Sequence, residues 1–189
     1  AAGVRTMTSS SSPGISLKAE GISYLAAGDL PCVIVNIVRG GPGLGGIQPA
    51  QSDYFQAVKG GGHGDYHLIV LAPNSVQELA HLTAEAFNIS DEYRIPTMIL
   101  GDGTLGHMME PVDLDAIPEP IYADKPWAAR GTDNKRKKNI VETLYLEASE
   151  LEKKVLEREE KYNVVKENLQ RYEAHDIDDA DIIISSYGI

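Results

Sequence analysis

Short apolar runs alternate with longer amphipathic segments over the first 112 residues of the chain. The apolar runs predict strands at residues 4–8, 31–38, 67–72 and 96–100, and the segments between them predict helices at residues 15–27, 52–58 and 75–93. The last three strands are almost continuously apolar, which is typical of strands buried on both faces of a parallel sheet. This alternation predicts an α/β fold: an open, mainly parallel sheet with helices on both faces.

Local signals mark the borders of these elements. Ser75 precedes the third helix and Glu78 follows three residues later, which is the pattern of a capping box. Residues 9–14 form a loop by composition, and their hydroxyl groups are candidates to cap the next helix. A further loop is predicted at residues 102–107, and the sequence leaves its role open.

The pattern changes after residue 112. Residues 113–138 contain several prolines and few periodic apolar positions, which predicts an extended linker. Residues 139–175 form a charged helical segment, with a long helix expected at residues 148–172. Its apolar stripe consists of Leu151, Val155, Tyr162, Val165, Leu169 and Tyr172. The stripe predicts packing on the same protein or on a partner, and a free coiled coil is the alternative.

The chain finishes on an apolar run at residues 181–186. We interpret residues 176–189 as the first strand of a following domain, because a lone terminal strand needs neighbours. The chain also begins without methionine, directly before a predicted strand. We therefore expect the sequence to be part of a longer polypeptide.

Composition and charge restrict the class of partner. Of the 189 residues, 42% are hydrophobic and 24% are charged, which is ordinary for a globular protein. The formal net charge is −11, and residues 1–134 contain fifteen acidic against seven basic side chains. Because an acidic surface repels phosphate backbones, nucleic-acid binding is disfavoured. The basic run at residues 135–138 is a candidate nucleic-acid patch, but the acidic helix after it favours a solvated interdomain segment.

The single cysteine, Cys32, has no partner in the chain. This excludes an intrachain disulfide or a cysteine metal cluster, and it favours a reducing compartment. No apolar run approaches the roughly 20 residues that span a bilayer, and no signal segment opens the sequence. We expect a cytoplasmic protein without membrane contact.

Residues 33–65 contain nine of the eighteen glycines. Such a density indicates positive φ angles or a close approach of the backbone to a ligand. Arg39 leaves the buried strand and enters this loop, at the position where open α/β sheets bind ligands. Its guanidinium can hold a carboxylate or phosphate through two parallel hydrogen bonds. A salt bridge to Asp53 or Asp65 is the alternative, and the residues alone leave both open.

Other motifs give weaker signals. The loop sequence GGPGLGG matches neither the dinucleotide-binding nor the P-loop pattern, so a Rossmann or Walker assignment is disfavoured. His63 and His67, with Asp65 between them, look like metal ligands, but flanking glycines and the lack of cysteine favour an ordered surface loop. No GxSxG elbow surrounds the serine run, which argues against a nucleophilic serine.

Three long stretches resemble a known family. They are TSSSSPGISLKAEG, VNIVRGGPGLGGIQPAQSDYFQAVKGGGHGD and PTMILGDGTLGHMMEPV. Together and in this order they resemble the α subunit of 2-oxoacid:ferredoxin oxidoreductases, and most closely the 2-oxoisovalerate (branched-chain) branch. The resemblance is strong over residues 3–112 and looser from there to the final apolar run.

This resemblance implies a thiamine-diphosphate-binding-like fold, with residues 1–112 as the pyrimidine-type domain and its N-terminal part missing. The domain would receive the aminopyrimidine half of thiamine diphosphate, a partner β subunit would hold most of the cofactor with Mg²⁺, and partner subunits would carry 4Fe–4S clusters. The implied reaction is oxidative decarboxylation of a 2-oxoacid, 2-oxoisovalerate by the nearest branch, with coenzyme A to acyl-CoA, CO₂ and reduced ferredoxin. In such enzymes the cofactor performs the chemistry and the protein supplies placement and electrostatics.

The same resemblance implies roles for individual residues. Arg39 matches the arginine that binds the substrate carboxylate. The loop that faces the cofactor is matched by Thr8, Ser9, Ser10, Ser11, Ser12 and Gly14. The family's Tyr-Pro-Ile-Thr-Pro-Ser segment and its cofactor-activating glutamate are expected before Ala1, so we expect no catalytic residue, no metal ligand and no activity in this chain alone. The alternative function is a docking module that keeps the fold and only organises subunits.

Overall fold

A computed structural model describes all 189 residues. In chain order, the elements are β1 (Met7–Ser10), α1 (Pro13–Ala27), β2 (Val33–Val38), α2 (Tyr54–Val58), β3 (Ile69–Leu71), α3 (Val76–Tyr93), β4 (Thr97–Asp102), α4 (Gly103–His107) and α5 (Ala148–Asn168). The chain divides into two compact units: residues 1–143 with 188–189, which contain the sheet, and residues 144–187, which contain α5. None of the helices combines the length and the apolar character needed to cross a membrane.

The four strands form one parallel sheet in the order β1-β2-β4-β3. The connection from β1 to β2 and the connection from β3 to β4 run in opposite directions across the sheet. Right-handed crossovers therefore place α1 and α3 on opposite faces. The predicted open, parallel α/β sheet with helices on both faces is confirmed.

The core lies along the two central strands. Ile34 of β2 and Ile99 of β4 are fully buried, and every residue of β4 is buried. Burial on both faces explains the continuous apolar runs that predicted these strands. Ser90 ties α3 to this core, because its hydroxyl accepts a hydrogen bond from Cys32 N–H at 2.9 Å and donates one to the Ile95 carbonyl at 2.7 Å.

The helix starts confirm one predicted cap and correct another. Ser75 Oγ accepts from Glu78 N–H at 3.1 Å, as predicted for α3. The Glu78 carboxylate accepts from Asn74 N–H at 2.7 Å, one residue before the cap. At α1, however, Ser12 makes no side-chain cap hydrogen bond, because its backbone has φ 49° and ψ −123° instead of the extended geometry typical of a cap. The expectation that the serine hydroxyls cap α1 is therefore wrong.

The first strand lies later in the chain than predicted. β1 begins where its pairing with β2 begins, at Met7 beside Val33, and it continues to Ser10 beside Asn36. Ser9 and Ser10 are therefore strand residues and not part of the loop predicted from composition. Pairing with a neighbouring strand, which composition does not record, sets this border.

Later elements also differ from the predictions. Residues 103–107, predicted as a loop, form the short helix α4, and α5 ends at residue 168 instead of residue 172. Residues 181–186 form no strand in this chain, because a strand requires a hydrogen-bonded neighbour. The interpretation of residues 176–189 as the start of a following domain stays a prediction, as do the other domain borders.

Residues 113–138 contain no helix or strand and follow the surface of α3. The Gln77 side chain donates to the Asp113 carbonyl at 3.1 Å and accepts from Asp113 N–H at 2.7 Å. Further along, the Asn88 side chain accepts from Ile121 N–H at 2.9 Å. Side chains of α3 thus satisfy the backbone of this extended segment and hold it in place.

The apolar stripe of α5 divides along its length. Leu151 and Val155 are 45% and 48% exposed, whereas Tyr162 is only 6% exposed. Burial is therefore confined to the middle of the stripe, and Tyr172 at its end is 83% exposed.

Candidate functional site

Three loops meet at the carboxyl edge of the sheet. Because the strands are parallel, Ser11 after β1, Arg39 after β2 and Asp102 at the end of β4 all lie at this edge. β2 and β4 are neighbours, and the chain order of the strands reverses there. Open α/β sheets bind their ligands at such a reversal. The crevice at this edge is the candidate functional site.

Arg39 is held by the glycine-rich loop that it begins. Its backbone forms an antiparallel bridge with Pro49, so the loop returns beside its own start. Arg39 Nη1 donates to the carbonyls of Leu44 and Gly46, the second at 2.8 Å. Nε and Nη2 make no hydrogen bond within the chain. The loop therefore fixes one nitrogen of the guanidinium and leaves the Nε–Nη2 side, called here the open edge of Arg39, available for two parallel hydrogen bonds to a carboxylate.

This loop geometry requires glycine at position 45. Gly45 has φ +60°, and a Cβ on it would lie 1.8 Å from the Gly40 carbonyl oxygen. That oxygen accepts from Gly46 N–H at 2.9 Å, and Gly40 N–H donates to the Gln48 carbonyl at 2.9 Å. The predicted positive φ and close backbone approach are both present at this turn, which shapes the carbonyl cradle of Arg39.

The alternative predicted for Arg39, a salt bridge to Asp53 or Asp65, is wrong. Asp53 Oδ2 instead accepts from Asn36 Nδ2 at 3.4 Å, and Asp65 is exposed on a left-handed turn with φ 53°. Backbone carbonyls carry no net charge. The positive charge of Arg39 is therefore oriented by the loop and not neutralised by an acid of this chain.

The segment predicted to face the cofactor divides into two parts. Lys18 Nζ, on α1, donates to the Thr8 hydroxyl and to the Ser9 carbonyl, both at 2.7 Å. These groups already have an intramolecular partner. The Ser10 hydroxyl lies against Gly14, where a Cβ would come within 2.0 Å of it, so only glycine fits at this turn.

The second part of the segment keeps its hydroxyl groups available. Ser11 and Ser12 lie at the amino end of α1 with their Oγ atoms 3.5 Å apart, and neither caps the helix. Hydroxyl groups act both as donors and as acceptors. Serines beside the first turn of a 15-residue helix thus suit a ligand ring that carries both kinds of group. No carboxylate stands in this segment.

Asn36 is a polar residue of the site that sequence reasoning missed. It is fully buried in the middle of β2, and its Oδ1 atom has no hydrogen-bond partner. A buried acceptor without a partner costs about 1–3 kcal/mol. The signal was visible in the sequence, because Asn36 interrupts the apolar run VIVNIV. Such an interruption in a buried strand indicates a role other than stability.

The hydrogen bonds of Asp102 explain the structure of residues 102–107, which were predicted as a loop. Its Oδ1 accepts from Thr104 N–H at 2.8 Å and from Leu105 N–H at 3.0 Å, so Asp102 caps α4. Gln51 Nε2, from the returning end of the glycine-rich loop, approaches Asp102 Oδ2 at 3.5 Å. Asp102 is 8% exposed and joins that loop to the end of β4.

The two histidines noted in the sequence, His63 and His67, lie between α2 and β3. No group of three or more His, Cys, Asp or Glu side chains in the chain is arranged to hold a metal ion. His63 and Asp65 are both exposed, in agreement with the ordered surface loop favoured from the sequence.

The fold and the sequence identify a family. The chain belongs to the family described as pyruvate flavodoxin/ferredoxin oxidoreductase, thiamine diphosphate-binding, whose profile matches residues 1–187. This confirms the resemblance drawn from the three sequence stretches.

Individual relatives agree with this assignment. The chain is 51% identical to the ketoisovalerate oxidoreductase subunit VorB of Methanothermobacter marburgensis, over 100% of this chain and 53% of the relative. It is 48% identical to the 2-oxoglutarate synthase subunit KorA of Methanothermobacter thermautotrophicus, over 65% of this chain and 32% of the relative. The chain thus spans about half the length of the VorB relative, or less of the other.

A solved structure confirms the fold. The 2-oxoglutarate:ferredoxin oxidoreductase from Magnetococcus marinus, with 2-oxoglutarate, coenzyme A and succinyl-CoA bound, superposes with a TM-score of 0.72 at 28% identity. The match covers 87% of this chain and 33% of that chain.

Proposed function

We propose that the chain is the pyrimidine-side part of the α subunit of a 2-oxoacid:ferredoxin oxidoreductase. The complete enzyme would oxidatively decarboxylate a 2-oxoacid with coenzyme A, producing an acyl-CoA, CO₂ and reduced ferredoxin. The observation that carries this proposal is the open edge of Arg39 at the carboxyl edge of the sheet, in a chain of this family.

Arg39 would bind the carboxylate of the 2-oxoacid through its open edge. Nη1 is already held by two loop carbonyls, so little side-chain freedom is lost when a substrate binds. Arg39 is also the only basic residue between Lys18 and Lys59 in a chain of net charge −11. An anionic substrate is repelled by most of this surface and attracted at this point.

Ser10, Ser11 and Ser12 would hold the aminopyrimidine half of thiamine diphosphate. Their hydroxyl groups match a ring that carries both donors and acceptors, and the close Ser10–Gly14 contact keeps side-chain bulk away from this turn. When bound, thiamine diphosphate supplies the electron sink that decarboxylation of a 2-oxoacid requires. Thr8 and Ser9 would belong to the same cofactor-facing segment, with the Thr8 hydroxyl and the Ser9 carbonyl held by Lys18.

Partner subunits would supply the remaining groups. A 4Fe–4S cluster needs four cysteine ligands, and this chain has one cysteine. We therefore assign the clusters, the Mg²⁺ and most of the diphosphate contacts to a β subunit and other partners, with ferredoxin as the electron acceptor.

We propose 2-oxoisovalerate as the substrate. The VorB match extends over the whole chain, whereas the KorA match is confined to 65% of it. Similarity beyond the shared sheet and loops thus favours the branched-chain enzymes.

The test is dye reduction by the full-length subunit co-purified with its partners. With coenzyme A present, we expect turnover of 2-oxoisovalerate in preference to pyruvate and 2-oxoglutarate. Arg39→Ala is expected to lower kcat/KM about 100-fold or more, because a charge-assisted pair of hydrogen bonds is lost.

Lys59→Ala is the matched control, since it removes an exposed positive charge from the same loop region. It is expected to leave kcat/KM within about twofold, because the charge of an exposed side chain is screened by solvent and salt. Loss of subunit assembly in Arg39→Ala, with unchanged kcat/KM in the assembled fraction, would instead support a docking module and contradict the proposal.

A further inference from the structure

We propose that Asn36 is a positioning residue: through Asp53 it holds the glycine-rich loop in place and so sets the direction of the open edge of Arg39. The inference rests on the proposed function, because it concerns how the 2-oxoacid carboxylate is met. Asn36 itself does not touch the substrate in this proposal. It acts through the loop.

The unpartnered amide oxygen of the buried Asn36 argues for a role beyond stability. It is fully buried, and its Oδ1 atom has no partner. Its neighbours on the same face of β2, Ile34 and Val38, are buried apolar residues. An apolar side chain of similar volume would fit this environment without an unpaired polar atom. What Asn36 supplies in return is its Nδ2 donor, which points to Asp53.

Asp53 stands at the returning end of the loop that Arg39 begins. The loop leaves β2 at Arg39 and returns to the sheet through several contacts. Gly40 N–H donates to the Gln48 carbonyl at 2.9 Å, and Ala50 N–H donates to the Val38 carbonyl at 3.4 Å. Gln51 Nε2 approaches Asp102 Oδ2 at 3.5 Å, and Asn36 Nδ2 donates to Asp53 Oδ2 at 3.4 Å. The contact between Asn36 and Asp53 joins a side chain buried in the strand to a side chain of the loop. Without it, the return of the loop depends on the contacts of Gln48, Ala50 and Gln51 alone.

The position of the loop determines the position of the Arg39 guanidinium. Arg39 Nη1 is bonded to the carbonyls of Leu44 and Gly46, and both belong to the loop. When the loop shifts, these carbonyls shift, and the guanidinium must follow them or lose its hydrogen bonds. Bidentate recognition tolerates little misalignment. A loosened loop therefore weakens substrate binding more than it changes the chemical step.

The first test is Asn36→Leu in the full-length subunit assembled with its partners. Three results are expected together: a melting temperature that is unchanged or raised, at least tenfold faster hydrogen exchange at the Gly40 and Gly46 amides, and at least a tenfold higher KM for the 2-oxoacid with kcat within twofold. A merely structural asparagine would give the opposite pattern, in which stability falls and KM is unchanged.

The second test is Asp53→Ala, which is read if Asn36→Leu fails to assemble. Asp53 is half-exposed and makes no side-chain cap hydrogen bond to α2, so its removal leaves the helix start intact. The same exchange and KM changes are expected. Ser52→Ala, at the exposed neighbouring position, is the matched control and should leave exchange and KM unchanged.

The exchange measurement separates this inference from the proposed function. If the wild-type complex turns over no 2-oxoacid, the proposed function fails, and exchange at Gly40 and Gly46 still reports whether Asn36 and Asp53 hold the loop. Unchanged exchange in both variants would overturn the inference. Faster exchange with an unchanged KM in an active complex would also overturn it, because the loop would then not act on substrate binding.

Discussion

Two arginines in this protein have opposite surroundings. Arg5 lies before β1, where its side chain is 18% exposed, and Arg39 lies after β2 at the carboxyl edge of the sheet. Arg5 is bound on its Nε–Nη2 side by acceptors of the chain. Arg39 has that same side open. The Nε–Nη2 side of Arg5 is therefore hydrogen-bonded within the chain, whereas the same side of Arg39 is not.

The Arg5 cluster joins three distant parts of the chain. Arg5 Nε donates to Asp91 at 2.8 Å, and its Nη2 donates to Asn88 at 2.9 Å and to the Ile121 carbonyl at 2.6 Å. Asp91, whose side chain is 6% exposed, also accepts from Lys125 Nζ at 2.5 Å. The aromatic ring of Tyr122 lies 5.1 Å from the guanidinium. Every strong interaction of this cluster is internal.

The difference separates an arginine whose Nε–Nη2 side is used by the fold from one that keeps an unpaired hydrogen-bonding edge. A cleft of about 430 Å³ lies beside Arg5 and Lys125, so a cavity and positive charge are present there too. Yet their ionic groups are paired with Asp91. At Arg39 uncharged carbonyls orient the guanidinium and leave its charge uncompensated. The unsatisfied hydrogen-bonding edge, and not the cavity, is what distinguishes the candidate site at Arg39.

Asp91→Ala is expected to reduce the stability of the protein, with the largest effect of the variants considered. It leaves the Arg5 and Lys125 side chains, 18% and 11% exposed, without their shared counter-charge. We expect the free energy of unfolding of the full-length subunit to fall by about 3–5 kcal/mol. Urea unfolding measures this loss, and kcat/KM per folded enzyme should stay unchanged.

Asp124→Ala is the control for that variant. Its carboxylate pairs with Arg130 at 3.3 Å, but the two side chains are 83% and 57% exposed. A pair this exposed contributes about 0–1 kcal/mol. If both aspartate variants lower the free energy of unfolding equally, the Arg5 cluster does not stabilise the fold more than an exposed ion pair does.

Arg39→Lys is expected to weaken binding of the 2-oxoacid. Lysine keeps the positive charge but has no planar fork, so the second parallel hydrogen bond is lost. We expect the KM for the 2-oxoacid to rise about 10–100-fold, or about 1.4–2.8 kcal/mol, while the free energy of unfolding changes by less than about 0.5 kcal/mol. Arg5→Lys is the reciprocal variant. It should lower stability and leave KM unchanged, and a raised KM there would remove the distinction between the two arginines.

Gly45→Ala is expected to have a smaller effect on the KM for the 2-oxoacid. An alanine Cβ would lie 1.8 Å from the Gly40 carbonyl oxygen, so the cradle of Arg39 must shift. Steady-state kinetics should show a KM increase of about 3–10-fold, since a displaced guanidinium keeps its charge but loses alignment. Gly43→Ala is the matched control, because Gly43 has a similar φ of +70° and open space around it. Both variants pay the left-handed backbone penalty of about 1–2 kcal/mol, and only Gly45→Ala should move KM.

Local patterns in the sequence were enough for part of the site. Arg39 was found because a charged residue follows a buried apolar run and precedes glycines, and all three signals lie within a few residues. The partners of Arg39 were not found. Leu44 and Gly46 contribute backbone carbonyls, which every residue has, so no side-chain pattern distinguishes them.

The serine segment shows the same limit. Its composition predicted a loop with capping hydroxyls, but pairing of Ser10 with Asn36 makes the first half a strand. Lys18, in the next helix, then donates to the Thr8 hydroxyl and to the Ser9 carbonyl. Which hydroxyl groups remain for a ligand depends on these contacts and not on the serine content.

Local sequence patterns predicted the buried strands, the capped helix α3, the parallel α/β class and the place of Arg39 after β2. These features follow from hydrophobic period, capping and strand ends, which are properties of neighbouring residues. Three other features depend on contacts between distant segments. Arg5 is bound by Asp91, 86 residues away, Asn36 Nδ2 donates to Asp53, and the open edge of Arg39 makes no hydrogen bond within the chain. A hydrogen bond needs its donor and acceptor atoms in direct contact, and only the folded chain brings distant segments that close.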